Sequence, residues 1–262
     1  MRHWTLIIFL LLAVRIAGWQ DEPTEAAPFD SPIPMAGTHK IYIPLISYAS
    51  SKKCAAIGEV DQIEQVKQLN SNCTYVYWGY TYTGTVEVIN MLKQGDPLAL
   101  TNNSQYFLGW NEPDLSGLTP QAAAALWPLA VASNPSKQAV SPAPSDLHPE
   151  WLEQFLMLIN HKPDVLAIHC YKIVVECERI IGQVIGYADQ YGIGAVWVTE
   201  FGYQGVDWQA QAQSLIDWMN AQPKIKRFYW FAAAADGYWS GQNLIDSTGQ
   251  LTDKGTFYKA IK

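Results

Sequence analysis

Two glutamates could share one piece of chemistry, because each ends an apolar run with no room for a helix in between. In Tyr106 to Asp114 (YFLGWNEPD), Tyr106, Phe107, Leu108 and Trp110 read as a buried strand, with Gly109 marking a bulge or a close approach by another segment. Asn111 and Glu112 follow. Pro113 removes a backbone donor and restricts Glu112 to extended geometry, so the strand stops there and leaves a carboxylate at its mouth. In Ala195 to Gly202 (AVWVTEFG) a second β-rich run ends in Glu200, with Phe201 and Gly202 behind it. One such acid is most simply a solvated side chain. Two of them at the same end of parallel strands could hydrolyse a glycosidic bond with retention. One carboxyl would protonate the leaving oxygen and the other attack the anomeric carbon, at a separation of about 5 to 5.5 Å.

The rest of the chain predicts the strands that such a pair needs. Apolar runs occur at Ile41 to Ser47, Thr74 to Tyr80, Val86 to Leu92, Tyr106 to Trp110, Ala139 to Ser141, Val165 to His169, Ala195 to Thr199 and Arg227 to Phe231. Helical patterns lie between them at Glu59 to Leu69, Pro120 to Ala132, Pro149 to Ile159, Val174 to Tyr191 and Trp208 to Asn220, with Thr119 and Asp207 as N-caps. Alternation of this kind calls for a parallel sheet, and about eight repeats match a single-domain α/β fold, the (β/α)8 TIM barrel, over residues 40–262. A doubly wound nucleotide-binding sheet would want a glycine-rich loop after its first strand, and Tyr48 to Lys53 has none. In a barrel, chemistry collects at the C-terminal strand ends. Those ends here carry Trp78, Tyr80, Asn111, Glu112, Ser141, His169, Tyr171, Glu200, Trp230 and Phe231.

Composition narrows the ligand and the compartment. A formal charge of -7 disfavours nucleic acid, and 11 Trp with 14 Tyr favour a partner that stacks on rings, such as a sugar. Residues 1–18 read as a signal peptide, with Arg2 before an apolar block from Leu6 to Val14 that is too short to span a bilayer. Residues 19–39 read as a Pro- and acid-rich, poorly ordered linker. The expectation is a secreted monomer, extracellular or wall-associated, with no membrane span after signal removal. Cys54, Cys73, Cys170 and Cys177 then form an even set with three possible pairings, of which Cys54–Cys73 across the first helix and Cys170–Cys177 across a short loop are favoured. Asn72 and Asn102 open glycosylation sequons. Cysteine and histidine spacing offers no metal motif, so neither metal nor organic cofactor is expected.

The chain resembles glycoside hydrolase family 128, the secreted β-1,3-glucanases of clan A, through LGWNEPDLSG (Leu108 to Gly117), AAALWP, SPAP, WLEQFL, DVLAIHCY (Asp164 to Tyr171), VWVTEFG (Val196 to Gly202), RFYWF and NLIDSTGQLTDKG. The resemblance implies internal cleavage of β-1,3-glucan with retention, Glu112 being the acid/base after strand four and Glu200 the nucleophile after strand seven. Asn111 matches an asparagine that hydrogen-bonds the sugar 2-hydroxyl. Cys170 and Lys93 stand where the family commonly has tryptophan, which bears on subsite shape. The acid role asks for a Glu112 pKa raised by burial and by the charge of Glu200. His169 and Tyr171 alternate along one strand and should face the interior as donors. Trp230 is the first choice for a stacking platform, Trp78 and Tyr80 the second, with Phe231 beside them; Trp110 is read as core. A glucan-binding barrel without turnover and a β-1,4 or mixed-linkage glucanase are the competing readings.

Overall fold

A computed structural model describes residues 52–57, 60–77, 81–94, 96 and 103–262, which fall within one compact unit. Its strands are β1 (Lys53–Ala55), β2 (Cys73–Tyr77), β3 (Glu87–Leu92), β4 (Tyr106–Trp110), β5 (Gln138–Val140), β6 (Val165–Cys170), β7 (Ala195–Phe201) and β8 (Ile225–Trp230). Every pairing is parallel, in the order β1-β8-β7-β6-β5-β4-β3-β2, which makes a nearly closed (β/α)8 barrel. Ile41 to Ser47, expected as the first strand, lies outside the described residues, as do residues 1–39. The strand paired with β8 starts instead at Lys53, which the sequence reading left in a loop.

The helices are α1 (Pro120–Ser133), α2 (Glu150–Leu158), α3 (Val174–Gln190), α4 (Trp208–Ala221) and α5 (Asp253–Ala260), with 3₁₀ helices at Val60–Leu69 and Gly237–Gln242. Thr119 caps α1 by accepting from the Ala122 N–H at 3.2 Å. Asp207 makes no such side-chain bond to α4. No helix among the described residues is long and apolar enough to cross a membrane.

Strand alternation divides the apolar side chains into two layers. Phe107, Trp110, Ile168, Val198, Phe228 and Trp230 pack outward against the helices, while Tyr75, Met91, Leu108, Ala167, Trp197 and Tyr229 fill the barrel. Two bulges change the phase. Between β3 and β4 the register passes from Met91↔Leu108 to Leu92↔Trp110, so Gly109 is skipped, and a Cβ there would stand 2.4 Å from Pro142 N. Both expectations for Gly109 therefore hold. Between β6 and β7 the register passes from Ile168↔Val198 to His169↔Glu200, skipping Thr199. Trp197 and Glu200 both point inward as a result, which strict alternation would forbid. Deeper in the barrel, Arg227 stacks over Trp197 (4.5 Å) and Tyr106 (5.1 Å) and pairs with Glu87 at 2.9 Å.

Among the described residues the ladder is open only between β1 and β2. There the Cys54–Cys73 disulfide joins the two edge strands, and the Ser71 hydroxyl donates to Lys53 O at 3.3 Å. The second bridge, Cys170–Cys177, ties the end of β6 to α3. Both expected pairings are therefore present. Replacing Cys54 and Cys73 together by alanine should lower stability by about 3 kcal/mol, the usual effect of closing a loop of this length. The readout is the urea midpoint, and an unchanged midpoint would mean that the seam holds without its covalent link.

Candidate active site

Glu112 and Glu200 arrive at the C-terminal mouth by different routes. Glu200 is carried inside β7 by the Thr199 bulge and is 5% exposed. Its Oε1 accepts from Tyr75 Oη at 2.6 Å and its Oε2 from Tyr171 Oη at 2.6 Å. Glu112 lies past the end of β4 with φ +37°, in the left-handed region and not the extended one expected from Pro113. The Asn111↔Ala143 bridge and the Glu112 N–H, donating to Ala143 O at 2.9 Å, hold the turn in that form.

His169 stands between the two acids, fully buried, with Nδ1 3.1 Å from Glu112 Oε1 and 3.4 Å from Glu200 Oε2. Burial alone would lower its pKa, but the charge of Glu200 and the hydrogen bond and charge of Glu112 raise it. For Glu112, burial pushes upward, and the hydrogen bond and charge of His169 outweigh it, so its pKa is lowered. This corrects the expectation of a raised value, because the imidazole between the acids carries the positive charge. The three residues bring ligand atoms within 4.8 Å of one another, the one such trio among the described residues that could reach a metal ion.

A second tier holds the loops. The Asp114 carboxylate accepts from Ser145 N–H at 2.9 Å, and Asp146 accepts from Tyr171 N–H at 2.6 Å. The β5–α2 loop thereby straps the Glu112 turn to Tyr171. Asn111 Oδ1 is buried with no hydrogen-bond partner among the described residues. Tyr75 was not singled out from the sequence; its inward phase becomes visible only once the facing strand is known. Trp78, Tyr80 and Asn102 lie outside the described residues, and Asn72 is exposed just before β2.

Trp230 is not a platform. It is fully buried in the outer layer against Phe201, Trp208 and Tyr258, and its indole N–H donates to Gln242 O at 2.8 Å. Alternation along β8 sends Phe228 and Trp230 outward and Tyr229 and Phe231 inward, so no ring face of Trp230 meets the cleft. Trp110 is core, as expected.

The glycosyl hydrolase catalytic core family matches residues 57–258. The chain belongs to that family. Within it the resemblance to glycoside hydrolase family 128 holds, since solved structures of that family share the barrel. A subgroup III curdlan-specific exo-β-1,3-glucanase from Blastomyces gilchristii is 25% identical, with a TM-score of 0.66, covering 81% of this chain and 99% of the other. A subgroup II endo-β-1,3-glucanase from Sorangium cellulosum is 20% identical, with a TM-score of 0.65 and coverage of 80% and 98%. A subgroup VII oligosaccharide-binding protein from Cryptococcus neoformans is 20% identical, with a TM-score of 0.61 and coverage of 81% and 93%. No curated protein sequence matches the chain.

Two predictions follow from this glycoside hydrolase site. Glu112 is depressed, so its contribution to stability is present above its ordinary pKa of 4.5 and is lost as pH falls; His169 is raised, so its contribution is present below 6.5 and is lost as pH rises through the raised value. The pair therefore stabilises most between those values, and His169→Gln should flatten the dependence of the urea midpoint on pH on both sides. Identical profiles for the two proteins would refute the coupling. Trp230→Ala should cost about 3 to 5 kcal/mol, a core truncation. Weakened sugar binding at an unchanged melting temperature would restore the platform reading.

Proposed function

We propose that the protein hydrolyses β-1,3-glucan internally and with retention, Glu200 acting as nucleophile and Glu112 as acid/base. The observation that carries this is the approach of the two acids. A carboxylate oxygen of each within 4.8 Å belongs with retaining enzymes, whose carboxyl groups stand about 5 to 5.5 Å apart, and not with inverting ones at about 6.5 to 9.5 Å. The β-1,3 linkage is supported by the glucanases that share the fold, both endo and exo, and internal cleavage by the motif resemblance.

The proton follows from the geometry. In the ligand-free site it resides on His169, 3.1 Å from Glu112 Oε1, and passes to Glu112 as the leaving oxygen enters. Glu112 protonates that oxygen while Glu200 bonds the anomeric carbon, with Tyr75 and Tyr171 holding the attacking carboxylate in place. Glu112 then takes a proton from water, which attacks the glycosyl-enzyme and frees Glu200. Asn111, whose amide oxygen has no hydrogen-bond partner among the described residues, faces the sugar 2-hydroxyl in this reading. We also propose secretion, which the two disulfides and the apolar block from Leu6 to Val14 support.

Two variants separate the roles. Glu200→Gly should leave glucan uncut, with azide restoring turnover of an activated glycoside to a product of inverted configuration. Glu112→Ala should lose about 10²- to 10⁴-fold on glucan. With an activated leaving group and azide, that variant should give a β-glycosyl azide of retained configuration. The opposite stereochemistry would swap the roles, and unchanged hydrolysis in both would remove the pair from catalysis. Product sizing on β-1,3, β-1,4 and mixed-linkage glucans tests linkage and endo action. Binding with no hydrolysis of any of them would favour a glucan-binding protein.

A further inference from the structure

A hollow of about 300 Å³, at the small end of known small-molecule sites, is bounded by Tyr171, Lys172, Tyr203, Gln204, Trp239 and Gln242. It shares a wall with the acids, because the Tyr171 that lines it is the Tyr171 that donates to Glu200 Oε2. Trp239 is braced against Tyr171 (centroids 5.1 Å apart), Phe231 (5.5 Å) and Tyr238 (5.0 Å), and it is half-buried.

Of the lining residues, Gln242, 4% exposed, carries a buried polar atom, Oε1, with no partner among the described residues. Such atoms are costly unless something pairs with them, and a hydroxyl-rich ligand is a suitable partner. The Gln242 oxygen also lies 1.8 Å from where a Cβ at Gly202 would stand, so a glycine at the end of β7 is what admits the amide to this wall.

We propose that this hollow is a glucosyl subsite beside the scissile bond, with Trp239 as the face on which one sugar ring stacks and Gln242 as a partner for its hydroxyls. It replaces the platform that the sequence placed at Trp230. The proposal rests on the glucanase reading and adds the residues that select chain length.

The test measures kcat and KM on β-1,3-gluco-oligosaccharides of increasing length for wild type, Trp239→Ala and Trp239→Phe. Binding is measured separately by calorimetry in the Glu200→Gln background, where no turnover is needed. One stacked ring is worth up to about tenfold in affinity, so Trp239→Ala should raise KM and Kd by about that factor once the oligomer reaches the subsite, with kcat within about twofold. Trp239→Phe should recover most of the loss. A fall in kcat at unchanged KM would make Trp239 a prop for Tyr171 and overturn the subsite, as would unchanged constants at every length. If wild type cleaves no glucan, the glucanase reading fails, while the ratio of Kd values with and without Trp239 still decides the subsite. If Trp239→Ala unfolds, the decision passes to Gln242→Ala, which should raise Kd at the same oligomer length, and an unchanged Kd overturns the subsite.

Discussion

Two carboxylates that approach within 4.8 Å, one buried and one partly exposed, repel each other by about 3 kcal/mol at an effective dielectric of about 20. The mouth of the barrel is arranged around that repulsion. Hydrogen bonds to charged groups contribute about 1.5 to 3 kcal/mol each, so His169 between the acids, with Tyr75 and Tyr171 on Glu200, is enough to reverse the sign. The donors must arrive at the right height, and β2 and β6 supply them only because their inward phase turns Tyr75 and His169 toward Glu200. The Thr199 bulge is part of the same requirement, since without it Glu200 would face the helices.

The strand cores were legible because buried parallel strands are continuous apolar runs, and β4 was read to the residue from Tyr106 to Trp110. Glu112, Glu200, His169 and Tyr171 were legible because each follows such a run at its C-terminal end. Phase was harder to read. Trp230 sits one residue from two inward side chains, and nothing local distinguishes the layers; only the helices packed on its ring decide that it faces out. Tyr75 was hidden for the same reason. The direction of the Glu112 shift depends on a histidine 57 positions later in the chain, a distance that no local pattern reports. The strand at Lys53–Ala55 was not read because it is three residues long, too short for alternation to show.

The barrel also shows how a sheet manages an incomplete closure. β1 and β2 touch without a ladder, which leaves backbone donors and acceptors on two edges. A covalent bond and a serine side chain hold the seam where strand pairing does not. The active mouth lies largely away from it, since β4, β6 and β7 carry Glu112, His169 and Glu200, and only Tyr75 reaches across from β2.

The left-handed backbone at Glu112 has a consequence for descent. A residue with a Cβ is strained at φ +37°, whereas glycine is not. The glutamate codons GAA and GAG become glycine codons by one base change, so a single mutation would silence the acid and relax the turn together. Selection for turnover opposes that change, while for folding the relaxed turn is set against the lost Glu112–His169 pair. Lineages released from the need to cut glycans should therefore drift readily toward barrels that keep the cleft and lose the chemistry.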